Sequence, residues 1–133
     1  MKWIILLVWS LVCVNTYAHE SDTLSVDRIV PKGLELAFPN EERSMPKSSG
    51  FELEHYVSMS NDKGERWAVV TIKNSSRGNR QLEQQHLMAV FADGSRAHPE
   101  FQSYRFKAEE TLTLTVYFGE SKFPILSVYT HSS

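Results

Sequence analysis

The chain has 133 residues, 41% of them hydrophobic and 23% charged, with 14 basic residues against 16 acidic ones and a formal net charge of −2. These proportions describe one ordinary globular domain and exclude a disordered, collagen-like or multi-domain protein. No uniform positive field is available to hold a polyanion, which argues against general nucleic-acid binding.

In chain order, the first element is a leader. Lys2 precedes an apolar run over 3–14, and Thr16-Tyr17-Ala18 follows with small residues at the two positions a signal peptidase reads. The pattern predicts a signal peptide over 1–18 and a single domain over 19–133, working in a secreted or periplasmic space. The run is shorter than the roughly 20 residues a bilayer span needs, so no membrane span is expected in the mature chain. Val12 stands before Cys13 where a lipoprotein needs a small residue. Cleavage after Ala18 leaves 115 of the 133 residues and removes Lys2, taking the net charge to −3; it also removes Cys13, the one cysteine. The exported domain must then be held by its core without a disulfide, which a chain of this length does by burying about 65% of its extended surface. Thiol catalysis, iron–sulfur clusters and cysteine zinc sites go with the cysteine.

Strands are predicted over 24–30 and 34–38. The following stretch 39–50, with two prolines and almost no apolar content, is predicted to be an exposed, mobile loop. Over 51–59, Phe51, Leu53, His55, Val57 and Met59 alternate with polar residues and are predicted to share the buried face, making His55 a core or rim histidine. A turn at Asn61-Asp62-Lys63-Gly64 leads to a strand over 66–73 with Ala68, Val70 and Ile72 inward, ended by the polar turn 74–79. The segment 85–92 reads as a strand, with 81–88 its best helical rival, expected to be strand or one short turn. Asp93-Gly94 signals a reverse turn, 101–107 a strand, and Ala108-Glu109-Glu110 a short charged connection. The clearest strand is 111–118, with Leu112, Leu114, Val116 and Phe118 on one side and a threonine-rich wet face on the other. A last strand is predicted over 125–130. Seven to eight short strands without a sustained helical period predict an all-β, antiparallel two-sheet sandwich, a small barrel being the alternative.

The half of the chain over 67–128 resembles the bacterial extracellular immunoglobulin-like (telokin-like) domains. The features that carry the likeness are Val70-Thr71-Ile72-Lys73-Asn74-Ser75-Ser76, then Phe91-Ala92-Asp93-Gly94 with Pro99 further on. Phe106-Lys107-Ala108-Glu109-Glu110-Thr111 then leads into Thr113-Leu114-Thr115-Val116-Tyr117-Phe118-Gly119. The resemblance implies an immunoglobulin-like sandwich and brings no catalytic residues with it.

Two chemistries can be named. A mature chain beginning at His19 offers its amine and imidazole as a chelating pair suited to Cu(II), an arrangement similar to periplasmic copper-resistance carriers and to copper-dependent polysaccharide monooxygenases. A second ligand would come from His55, His86, His98 or His131; otherwise His19 is a frayed terminus. The monooxygenase comparison is the weaker, because 115 residues leave little chain for a flat polysaccharide-binding face. The other chemistry is recognition. Arg77 and Arg80 flank a Gly-Asn turn, and Arg66 and Trp67 begin the preceding strand, so cationic and aromatic groups are available to an anionic surface or glycan. Glu109-Glu110 is adjacent rather than facing, no nucleophile elbow or phosphate loop occurs, and Asn74-Ser75-Ser76 has the form of a glycosylation sequon. The expectation is a non-catalytic binding or accessory module without a cofactor, whose partner is a protein or a surface glycan. The alternative is a copper-binding protein using His19.

Overall fold

The computed structural model describes residues 23–29 and 45–132. The predicted leader, His19, the strand over 34–38 and the first part of the loop 39–50 lie outside the described residues.

What is described is all-β apart from one 3₁₀ turn at Gln84–His86. The strands are β1 (Ser25–Val26), β2 (Ser48–Ser49), β3 (Phe51–Ser60), β4 (Glu65–Asn74), β5 (Arg80–Leu82), β6 (Met88–Phe91), β7 (Arg96–Ala97), β8 (Tyr104–Phe106), β9 (Thr111–Glu120), β10 (Ile125–Tyr129) and β11 (His131–Ser132). One sheet runs β1-β3-β4-β9 and a second β10-β6-β7, with the ladders β5-β8 and β2-β11 beside them. All pairs are antiparallel except β2 with β11.

The core forms where the inner faces meet. Ala68, Val70 and Ile72 of β4 and Val116 and Phe118 of β9 pack in one cluster with Leu82, Leu87, Ala89, Phe91, Phe106, Ile125 and Val128. Their burial is the main stabilising contribution, about 1.5–3 kcal/mol for each large side chain, and no crosslink is involved. Phe51 closes one end of this core, edge-on to Phe106 at a ring separation of 5.1 Å. β6 is buried at all four positions. A continuous apolar run satisfies that environment where an alternating strand would not.

Turn chemistry connects the strands. In the β3–β4 turn the Asn61 side-chain oxygen accepts the N–H groups of Lys63 and Glu65, each at 3.1 Å. Gly64 sits at φ +79°, where a Cβ would come within 3.2 Å of the Ser121 carbonyl oxygen. After β6, Asp93 accepts both the backbone N–H and the hydroxyl of Ser95, and the Gly94 N–H donates to the Phe91 carbonyl. The corner after β4 is organised by Asn74, which is fully buried. Its amide donates to the carbonyls of Gly78 at 3.0 Å and Lys107 at 2.9 Å, and its oxygen accepts from the Ser76 N–H and hydroxyl. Both amide hydrogens are thus committed inside the fold, so the sequon cannot be modified there in the folded chain.

Three expectations are corrected. First, the predicted common face of 51–59 breaks in the middle. Phe51 and Leu53 pair with Asn74 and Ile72, but the register shifts before His55, after which Tyr56 lies opposite Val70 and Ser58 opposite Ala68. The extra residue is Glu54, a bulge that turns His55, Val57 and Met59 to the outer face beside Thr71, Val69 and Trp67. His55 is therefore exposed and not a core histidine. Second, the C-terminal part of the 39–50 loop is not simply exposed: Pro46 is buried, the Lys47 N–H donates to the Gln85 carbonyl, and β2 pairs with β11. Third, the strand predicted over 85–92 begins only at Met88, because Gln84–His86 forms the 3₁₀ turn. There the Glu83 N–H donates to His86 Nδ1 at 2.9 Å, a reciprocal cap that satisfies groups a strand would have left to a neighbour.

Candidate binding groove

β4 carries Trp67, Val69, Thr71 and Lys73 on its outer face, opposite Tyr117, Thr115, Thr113 and Thr111 of β9. Continuing across to β3, Met59 lies opposite Trp67, and Val26 of β1 opposite Met59. One transverse row thus joins Val26, Met59, Trp67 and Tyr117, ending in two large aromatic rings. Those rings stack with centroids 4.6 Å apart and an interplanar angle of 36°. Such a pair adds about 0.5–1.5 kcal/mol beyond its buried area and fixes both side chains in place.

The corner beyond this row is shaped by a second bulge. Trp67 pairs with Tyr117, but Glu65 pairs with Glu120, so β9 carries an additional residue. Gly119 takes up the irregularity at φ +90°, a conformation costly to residues bearing a Cβ. The result places Glu120 across from Glu65 at the aromatic end of the sheet. On the free side of β9, the Glu100 N–H donates to the Tyr117 carbonyl at 2.7 Å, and the segment that follows Glu100 runs on toward β8.

Between that segment and the aromatic pair lies an open groove of about 540 Å³, lined by Trp67, Tyr117, Thr115 and residues 100–104. Phe101 and Tyr104, their rings 5.2 Å apart, form its far wall, with Gln102 and Ser103 exposed on the rim. The Tyr117 hydroxyl is held above its ordinary range by desolvation and by the carboxylates of Glu65, Glu120 and Glu100. The Glu65 carboxylate also accepts hydrogen bonds from the Trp67 indole N–H at 3.4 Å and the Asn61 amide at 3.0 Å, which ties the indole to the β3–β4 turn.

The cationic residues named from sequence are not gathered here. Trp67 and Arg66 lie at the start of β4, with the Arg66 Nε donating to the Ser121 carbonyl at 3.1 Å. Arg77 and Arg80, both exposed, lie past the other end of β4. A strand of that length separates them by roughly 30 Å at about 3.3 Å per residue. One patch combining the four does not form; Trp67 keeps acidic and aromatic company instead.

The histidines are dispersed as well. His55 lines a separate concavity with Val26, Ile29, Val57 and Leu126 on the β1–β3 side. His86 is buried against Phe51, and its protonation is pushed below the usual histidine value by burial, partly offset by Glu83. His98 Nδ1 bonds the Leu87 carbonyl at 2.9 Å, and His131 belongs to β11. Among the described residues no group of three or more His, Cys, Asp or Glu is placed to hold a metal ion.

Residues 100–104 carry no sequence signal for this site. Phe101 and Tyr104 look like ordinary strand residues, and only the bridge from Glu100 to Tyr117 places them opposite Trp67. The signal that does exist is the aromatic and threonine content of the face that β9 turns away from the core. Comparisons with protein-family models, with curated proteins and with solved structures found no match.

Proposed function

We propose that the chain is an exported, non-catalytic binding module, an immunoglobulin-like sandwich that recognises another protein or a surface glycan through the groove beside Trp67 and Tyr117. The observation that carries this reading is the stacked aromatic pair on the outer sheet face. It is half-exposed, tied down by Glu65 and by cross-strand packing, and backed by a second aromatic wall. Rigid aromatic side chains in an open groove offer large contact area with little conformational entropy left to lose on binding. The threonine and glutamine side chains around them supply hydrogen bonds that orient a ligand.

The test is retention of the purified chain on an immobilised envelope fraction from its own source, compared with the double variant Trp67→Ala, Tyr117→Ala. Truncating both anchors should weaken retention at least tenfold, the size expected for central aromatic contacts. Equal retention by a folded double variant would remove the groove from consideration.

A further inference from the structure

The charge around the groove identifies what enters it. Glu65 and Glu120 are directly opposed across the β4–β9 ladder, where like charges repel, and Glu120 also lines a separate cleft with Lys63, Arg66 and Lys122. Glu100 is bridged to Tyr117 from the other side, so the three carboxylates that act on the Tyr117 hydroxyl approach the aromatic pair from three different segments. The π-faces of Trp67 and Tyr117 are themselves negative and attract a cation placed over them. An anionic glycan would be repelled by the carboxylates and by the rings. A neutral glycan would use the rings and gain nothing from the carboxylates. An ammonium or guanidinium group uses both.

The adjoining backbone indicates how the cation is presented. β9 is the last strand of its sheet. The Tyr117 carbonyl points to the outer edge, where it accepts the Glu100 N–H. Alternate residues of a strand direct their backbone groups to the same edge. Thr115, Thr113 and Thr111 therefore face outward too, and beyond the Tyr117 bridge this edge has no ladder partner among the described residues. An unpaired edge is a template for an extended chain, with pockets beside it reading alternate side chains.

We propose that the β9 edge and the groove together take an extended cationic segment of a partner protein, a lysine or arginine side chain being seated over Trp67 and Tyr117 among Glu65, Glu100 and Glu120. This rests on the groove being the recognition site. The probe is a synthetic peptide alternating lysine and threonine, together with the same peptide acetylated at every lysine, titrated calorimetrically into the full chain at low and at physiological salt. The charged peptide should bind and the acetylated one should bind at least fivefold more weakly. Added salt should weaken the charged peptide selectively, and Glu100→Gln with Glu120→Gln should lower its affinity about tenfold. Both glutamates are exposed, so this variant keeps the fold. Equal binding of the two peptides, or binding of neither, would overturn the proposal. On the envelope fraction, retention that depends on Trp67 and Tyr117 but not on the glutamates or on salt would overturn the cationic partner while leaving the groove standing. Retention indifferent to all four residues would remove both.

Discussion

Asn74 holds the corner between the two layers by answering two carbonyls with its amide and one backbone N–H and a hydroxyl with its oxygen. Replacing it by alanine removes that donor from the Gly78 and Lys107 carbonyls, which keep only the Ser76 hydroxyl and the Glu110 N–H, and takes the acceptor away from the Ser76 N–H. Asn74→Ala is expected to lower stability by about 3 kcal/mol, read as a shift of the urea unfolding midpoint at unchanged slope. His86 makes a different, pH-dependent contribution. Burial disfavours its charged form, and its Nδ1 is occupied as an acceptor from the Glu83 N–H. The unfolded chain therefore binds this proton more readily than the folded one. Stability is fully present above histidine's ordinary value of 6.5 and is lost as the pH falls through that value toward the lower folded one. Urea midpoints measured between about pH 8 and pH 5 should fall on the acid side, and His86→Gln should flatten that fall. The sequence allows one short turn over 81–88, which the 3₁₀ turn at Gln84–His86 fits, but nothing local announces that His86 will cap it reciprocally with Glu83.

At the scale of elements, the strong periodicities of β4 and β9 are local and survive folding unchanged. β3 is different. Its alternation is regular in sequence, yet the sheet needs Phe51 and Leu53 at one end and Tyr56 at the other to face the same core, and Glu54 is the residue that makes both possible. Deleting Glu54 closes the bulge: His55 then follows Leu53 directly, opposite Thr71 beside Ile72, and Phe51, Leu53, Tyr56 and Ser58 all keep the core face. The deletion is therefore expected to change stability by no more than about 1 kcal/mol, measured by thermal or urea unfolding, whereas a one-residue slip of the whole strand would exchange its two faces completely. The bulge at Gly119 does for the groove what Glu54 does for the core, bringing Glu120 level with Glu65 instead of leaving it a position out of step. Neither bulge is legible in the residues, since each answers to a partner strand far away in sequence.

At the scale of the whole molecule, the proposed export with cleavage after Ala18 would leave a chain that begins at His19 and carries no thiol. Intact-mass measurement of the chain recovered from an exporting host should then give the mass of 19–133. The same material should titrate with Cu(II) without a tight stoichiometric site. A single tightly held Cu(II), lost when one residue is added ahead of His19, would instead favour copper binding. The cationic patch inferred from Arg66, Trp67, Arg77 and Arg80 shows the reach of sequence reasoning at this scale. Nearness along the chain suggested nearness in space, but a ten-residue strand intervenes and carries the two ends apart.

Composition, hydrophobic alternation and turn residues by themselves determined that this chain is an antiparallel all-β sandwich stabilised by its core, because those signals depend on neighbours within a few positions. They also marked β9 as a strand with a polar, threonine-bearing face. Tertiary structure alone decided which side chains share that face. The meeting of Trp67 with Tyr117, the approach of Glu65, Glu100 and Glu120 to the Tyr117 hydroxyl, and the outward turn of His55 all follow from register between strands remote in sequence. Register is set by the packing of the whole core rather than by any one segment.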